Sequence, residues 1–315
     1  MVNGMRLTLR FSIAAALVAI ALCVPAIARA QSTETPPPLT PEQQAAVQAA
    51  IIKASQNPVG NIAAIPFQFN NNYALGPYAR YQFNLNIQPV VPFMISTNLS
   101  LIARTIIPVV DNPSSAPPGV CASSFGCGST FGISDIQEQL FFAPKTSGNQ
   151  LIWGVGPMFQ VPSASPGVLG TGKWSAGPDA VALVMPGPWV IGVLASQIWS
   201  FAGKVSTSQV NAGLVQPFIN YNLKGNWAIS TAPSLTANYT APGNQKWSIP
   251  VGGGVTKTFK LGDQPMQLAL FYYTFVERPV TTPQTDLRIN WTLLFPIKRG
   301  FDIKEILKEA GGLKE

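Results

Sequence analysis

The sequence predicts an all-β fold: a transmembrane antiparallel up-and-down β-barrel of about 12 strands, with a short N-terminal helix and a C-terminal tail. Three observations carry that expectation. Only 10% of the 315 residues are charged while 47% are hydrophobic, against roughly a quarter charged in soluble domains, and mean hydropathy is +0.22. From Ile62 onward apolar and polar residues alternate with a period of two, in runs of about ten, the length a tilted strand needs to cross a bilayer. The connections between runs alternate between longer and shorter, which gives a barrel one face of loops and one of turns.

The elements follow in order. Arg6 and Arg10 precede an apolar run from Phe11 to Val24, and Ala28-Arg29-Ala30 supplies the small residues of a cleavage site. Residues 1–30 read as a secretory signal peptide cut before Gln31. A spanning helix needs about 20 apolar residues, and Ser12 and Pro25 interrupt this run. Residues 31–60 begin with a Pro-rich leader. Thr40 and Pro41 then start a short amphipathic helix through Ser55, with Val47, Ile51 and Ile52 on its body, stopped at Asn57-Pro58.

Residues 61–297 form the barrel. Twelve runs fall at about 62–71, 81–92, 97–109, 131–143, 150–162, 173–185, 188–200, 211–223, 226–239, 245–258, 265–276 and 285–297. Alternation is plainest where Leu287, Ile289, Trp291, Leu293 and Phe295 alternate with Arg288, Asn290 and Thr292. Connections after odd runs are mostly longer (Asn72 to Arg80, Val110 to Thr130, Ser163 to Gly172), and those after even runs mostly shorter (Pro186-Gly187, Lys224-Gly225). An even count then puts both termini in the periplasm. A soluble β-sandwich also alternates, but it needs charge on its outer face, and its strands are typically five or six residues. The seven tryptophans, Trp153, Trp174, Trp189, Trp199, Trp227, Trp247 and Trp291, fall mostly near run ends, where interfacial girdles sit. Residues 298–315 form a periplasmic amphipathic tail with Phe301, Ile303, Ile306 and Leu307 among Lys and Glu. Barrels of this kind often end on an aromatic residue read by the assembly machinery; here Phe295 is followed by Pro296.

Charge and motifs exclude several functions. Without Arg6, Arg10 and Arg29 the mature chain has 17 basic and 13 acidic residues, a net charge of +4. These charges are dispersed, so no nucleic-acid partner is indicated. There is no histidine, which closes the usual route to nucleophilic catalysis through Ser or Cys. Asp135 and Glu138, three apart, point to opposite faces of a strand and cannot act on one bond. Gly252-Gly253-Gly254 with Lys257-Thr258 lacks the glycine a phosphate loop needs before its Lys, since Thr256 stands there. No enzyme, cofactor or metal is expected. Cys121 and Cys127, close together in a Ser/Gly/Pro-rich stretch, suit a local disulfide in an oxidising compartment; two free thiols are the alternative.

Alternation puts four charges inside the barrel: Arg104 on the face of Ser100, Asp135 with Gln137 and Gln139, Asp179 with Lys173 and Ser175, and Arg288 with Asn290 and Thr292. They line a lumen that selects solutes, or they pair and fill a narrow barrel; the sequence leaves both open. Glu138 falls on the lipid-facing phase and calls for a bulge near Ile136 or a place at the interface.

The wording Gln56-Asn57-Pro58-Val59, Ile65-Pro66-Phe67-Gln68, Asn86-Ile87-Gln88-Pro89-Val90-Val91-Pro92, Arg104-Thr105-Ile106-Ile107-Pro108, Trp153-Gly154-Val155-Gly156-Pro157, Gly172-Lys173-Trp174-Ser175-Ala176-Gly177-Pro178, Gln216-Pro217-Phe218-Ile219-Asn220-Tyr221-Asn222 and Pro250-Val251-Gly252-Gly253-Gly254-Val255 resembles one group. It is the bacterial outer-membrane β-barrel family associated with transporters of a phenol-degradation pathway, sometimes mislabelled neuromedin U. The similarity spans about residues 54–298. It implies an outer-membrane channel for small solutes, hydrophobic or aromatic ones among them, and carries no catalytic residues. The expected location is the bacterial outer membrane, reached by a cleaved signal peptide. The expected partners are outer-membrane lipid, the barrel assembly machinery and a small-molecule solute. The rival expectation is a closed structural or surface-interaction barrel, with a lumen packed shut by residues 41–55.

Overall fold

The computed structural model describes residues 51–60, 62–114, 128–145 and 151–296, all within one compact unit, Glu42–Glu315. The signal peptide, the leader, the helix before Ile51, Cys121 and Cys127, and the tail 298–315 lie outside the described residues. Fifteen extended segments form one sheet. Three pairs of segments are single strands with a local interruption, so the barrel has 12 strands.

In chain order these are β1 (Ile62–Leu75), β2 (Arg80–Ile87 and Val90–Ser96), β3 (Leu99–Asn112), β4 (Thr130–Ile133 and Ile136–Pro144), β5 (Ile152–Val161) and β6 (Lys173–Val184). Then come β7 (Trp189–Gly203), β8 (Asn211–Asn222), β9 (Trp227–Thr231 and Leu235–Asn238), β10 (Trp247–Leu261), β11 (Gln264–Glu277) and β12 (Thr285–Pro296). Each strand pairs antiparallel with the next, and the ring closes where β1 meets β12, from Ile62↔Pro296 to Tyr73↔Thr285 without a shift. Closure removes the free edges that an open sheet would present to lipid.

The connection expected from Asn72 to Arg80 is shorter than that, because Asn72 to Leu75 belong to the first strand. The polar run Asn70-Asn71-Asn72 belongs to β1, and the chain turns at Gly76 to Ala79, where Leu75 pairs with Arg80. Each asparagine amide is used within the wall: Asn70 donates to Asn84 O, Asn71 to Leu287 O and Asn72 to Gln82 Oε1. Asn72 reads as the start of a connection in sequence because turns favour asparagine; here it continues a strand whose wall uses its amide.

The outer face is apolar. Phe142, Val155, Phe159, Ile191, Val193, Ile229, Leu268 and Leu270 are exposed on it. Trp153, Trp189 and Trp227 open their strands at the turn end, and Trp174, Trp199 and Trp247 lie at or near the loop end. Tyr221 packs on Trp189 at 4.6 Å and Tyr239 lies edge-on to Trp247 at 6.0 Å. These are two aromatic girdles around a lipid belt. Trp291 stands mid-strand instead, stacked on Phe67 at 5.5 Å. Lys257 belongs to the turn-end girdle: its Nζ lies 4.8 Å from the Trp227 ring and donates to Gly225 O at 2.6 Å. Glu138 keeps its outward phase and accepts from Thr105 Oγ1 at 2.6 Å, with the break in β4 just before Ile136.

Candidate functional site: a layered lumen

The interior divides into three layers along the axis. In the loop-end half lies a partly open cavity of about 380 Å³. Its lining mixes amides (Gln68, Asn84, Asn86, Gln88, Gln137, Gln160, Gln216) with apolar side chains (Ile106, Pro108, Val110, Leu169, Leu214). One wall of it is the β5–β6 connection, folded inward. Ile133 and Ser165 exchange backbone hydrogen bonds at 3.1 and 2.9 Å, and Ser134 Oγ donates to Leu169 O at 2.6 Å. Asp135 anchors the fold-in, accepting from Thr171 N at 2.6 Å, Thr171 Oγ1 at 2.7 Å and Ala164 N at 3.3 Å. Gly170 leaves room for it, since a Cβ there would sit 2.3 Å from Asp135 Oδ1. Asp135 lines the cavity, and its charge is spent on holding a loop.

The second layer holds Arg104, Gln139 and Asp179. Arg104 donates to Gln139 Oε1 at 3.0 Å and to Gln88 Oε1 at 2.5 Å. Asp179 is 2% exposed, and among the described residues neither carboxylate oxygen has a partner in good hydrogen-bond geometry. Gly156, its partner on β5, and Gly177, two residues back, leave bare wall beside it. Arg104 and Asp179 interact electrostatically across this layer without forming a close ion pair.

One turn-ward step along each strand, the lining becomes apolar. Ile102 follows Arg104, Phe141 follows Gln139 and Val181 follows Asp179, and all three are buried in one cluster with Leu183, Val190, Leu194 and Phe218. Val59, from the segment before β1, completes this cluster. Residues 51–55 are helical, and Ile51, Ile52 and Val59 are buried. Gln56 and Asn222 exchange side-chain amide bonds at 2.9 and 3.0 Å, and Gln267 donates to Ser55 Oγ at 3.4 Å. Gly154 admits Val59, whose Cγ1 would be 3.2 Å from a Cβ at that position. Contacts to β5, β8 and β11 place residues 51–60 across the turn end of the lumen.

On the opposite wall, Arg288 is fully engaged. It forms an ion pair with Asp286 at 3.1 Å, donates to Asn70 Oδ1 at 2.9 Å and lies 4.7 Å from the Tyr273 ring centroid. It also donates to Ala232 O at 3.3 Å, while Ala232 N donates to Tyr273 Oη at 3.0 Å. The backbone of Ala232 is thus bonded by side chains of β11 and β12, past β10. β10 permits this because its inward positions there are Gly252 and Gly254; at Gly254 a Cβ would meet Leu270 O at 1.8 Å.

Asp286 and Tyr273 are polar lumen residues that sequence reasoning missed, and Gln139, placed inside by alternation beside Asp135, was not singled out as a partner of Arg104. Asp286 lies two residues from Arg288 on the same strand face, a signal that alternation offers. Gln88 and Gln139 carry no charge, and nothing in the sequence marks them among the strand amides as the acceptors of Arg104.

No family model and no curated protein matches the chain. Among solved structures it is similar to an outer-membrane channel from Pseudomonas putida F1, 16% identical over 74% of this chain and 94% of that one, with a TM-score of 0.53. The NanC porin (9% identical, 74% of this chain and 98% of that one, TM-score 0.45) and outer membrane phospholipase A from Escherichia coli (10%, 73% and 95%, TM-score 0.39) are more distant. The first likeness shows a fold shared with an outer-membrane barrel.

Proposed function

We propose that the chain is an outer-membrane channel for passive passage of small solutes, with its axial path closed in this structure by residues 51–60. The observation that carries this reading is the cavity of about 380 Å³ inside a closed barrel, ending on the apolar seal built around Val59. Two aromatic girdles around an apolar belt support the membrane location, which the chain reaches by a leader cleaved before Gln31. The lining alternates amide groups with Ile106, Val110, Leu169 and Leu214. It suits a solute with an apolar body and one or two hydrogen-bonding groups, a description that fits the aromatic compounds implied by the family resemblance, the link to a phenol-degradation pathway included.

Planar-bilayer conductance and liposome solute flux test the proposal, with the mature chain compared with a variant lacking residues 31–60. The expected result is low conductance for the mature chain and a sustained rise on deletion. If the folded variant neither conducts nor passes solutes, the barrel is a closed structural one, the reading that the seal and the inward-folded β5–β6 connection favour.

A further inference from the structure

The lipid-facing wall carries a carboxyl group at the centre of its belt. Gln137 and Gln139 turn inward, so Glu138 between them points outward. It pairs with Thr105 on β3 and with Phe159 on β5, and Phe159 pairs with Ala176 on β6. Because the strands tilt, ladder lines climb toward the loops from β2 to β8. The line through Val90, in the turn-end half of β2, reaches β8 at Ala212, by the loop end. At about 3.3 Å per residue and a tilt of about 40°, Glu138 stands about 12 Å above the turn-end girdle at Trp153 and about 11 Å below the loop-end girdle at Trp174. That is the depth of the hydrocarbon centre, where ionisable groups are costly and lipid offers no partner. Thr105 Oγ1 donates to Glu138 Oε2 at 2.6 Å, and among the described residues Oε1 has no partner.

We propose that the outer face of β3–β5 around Glu138 is an interface within the membrane for a second copy of this chain. The inference holds whether or not the lumen conducts. Copies inserted the same way are related by a two-fold axis along the membrane normal, so a residue beside that axis meets itself at equal depth. A neutral carboxyl is a side chain that satisfies its own copy, being donor and acceptor at once. Oε1–H of each Glu138 donates to Oε2 of the other, which keeps a lone pair beside the one that Thr105 uses. The pair thereby supplies the partner that hydrocarbon withholds. The surrounding relief lets two convex walls approach. Ala103 lies beside Thr105 on β3, Pro157 stands on β5, and the outward positions of β6 from Ala176 to Ala182 are Ala176, Pro178, Ala180 and Ala182. Small residues allow the close backbone approach on which association in lipid depends. Phe142, Val155 and Phe159, exposed on the same face, supply its apolar contact area.

Energy transfer between labelled copies tests this. In a background with Cys121→Ser and Cys127→Ser, Val205→Cys puts a single label on the β7–β8 loop, where the side chain is exposed. Donor- and acceptor-labelled mature chains are mixed in phosphatidylcholine vesicles and diluted with lipid, and folding is checked by the heat-modifiable band on gels. The parent is expected to show transfer above the level of randomly placed copies. Glu138→Leu, which replaces the acid by an apolar side chain, should weaken association about tenfold. Glu138→Gln can form the same reciprocal pair through its amide and should keep most of the transfer. Tyr272→Leu, on the outward face of β11, should leave it unchanged. A folded parent at the random level overturns the interface and shows Glu138 facing lipid alone. Association undiminished in Glu138→Leu places the contact on another face, and a Glu138→Gln as weak as Glu138→Leu overturns the reciprocal pair. In cells, p-benzoylphenylalanine in place of Leu140 should capture a second, differently tagged copy under light. Capture of a different protein in its place overturns the choice of partner.

Discussion

Arg288→Met is the substitution with the largest consequence that the structure supports. The guanidinium holds four groups at once: Asp286 at 3.1 Å, Asn70 at 2.9 Å, Ala232 O at 3.3 Å and the Tyr273 face at 4.7 Å. Methionine replaces the stem and none of these. Among the described residues Asp286 already has Oδ1 without a partner, and with Arg288 gone its second oxygen loses its partner as well, in a side chain 3% exposed. Removing one member of a buried ion pair destabilises by about 3–5 kcal/mol, because the remaining charge is uncompensated. Lost packing on Tyr273 adds to this in the same direction. The double variant Asp286→Asn with Arg288→Met has no stranded charge and is expected to recover more than half of the loss. Urea unfolding of the barrel in lipid vesicles, followed by tryptophan fluorescence, measures both. A single variant within ~1 kcal/mol of the parent would show that lumen water already screens the pair. A double variant no better than the single would show that the charge is not what matters.

Further outcomes follow from other parts of the lumen. Val59→Asp places a carboxylate in the apolar seal, where an unpaired charge is strongly disfavoured; residues 51–60 should leave the lumen, and bilayer conductance should rise toward that of the deletion variant. Asp135→Ala removes the acceptor of three hydrogen bonds, each charge-assisted one worth about 1.5–3 kcal/mol. The β5–β6 connection should swing out and be cut faster by proteinase K added to intact vesicles, with strand content by circular dichroism unchanged. Gly254→Val drives a side chain into Leu270 O and should exceed the ~1–3 kcal/mol usual for overpacking, read as loss of the heat-modifiable folded band on gels. Brominated lipids should quench Trp291, at mid-belt, most strongly with bromines near the bilayer centre. Trp153, Trp189 and Trp227 should be quenched best by bromines near the headgroups, each read in a single-tryptophan variant.

The architecture was legible because a barrel repeats one rule along its length. Leu287, Ile289 and Trp291 alternate with Arg288 and Asn290, and that period gives strand, tilt and face together. Loop length then orders the ends. The company of the inward residues was far less legible. Arg104 meets Gln139 from a strand 35 residues away, and Asp179 is brought toward Arg104 from further still; no local pattern encodes such distances. The helical end at residues 51–55 was readable from its stop at Asn57-Pro58. Its seat across the lumen was not, since that depends on bare wall at Gly154 and on Asn222 and Gln267 of two remote strands. Asn72 misled because an amide that bonds across a wall looks, in one dimension, like the start of a turn.

Pro217 and Pro233, which fall opposite each other between the two paired stretches of β8 and β9, and Pro250 on β10 have a consequence for how the barrel comes apart. Its seam, where the first and last strands meet, runs unbroken from Ile62↔Pro296 to Tyr73↔Thr285, whereas β9 is held at its two ends and free in its middle. Amide protons on β9 and on the facing edge of β10 should therefore exchange with deuterium well before those of the seam. The place where the polypeptide's two ends were joined would be among the last parts of the wall to yield, and the weakest line lies inside the chain.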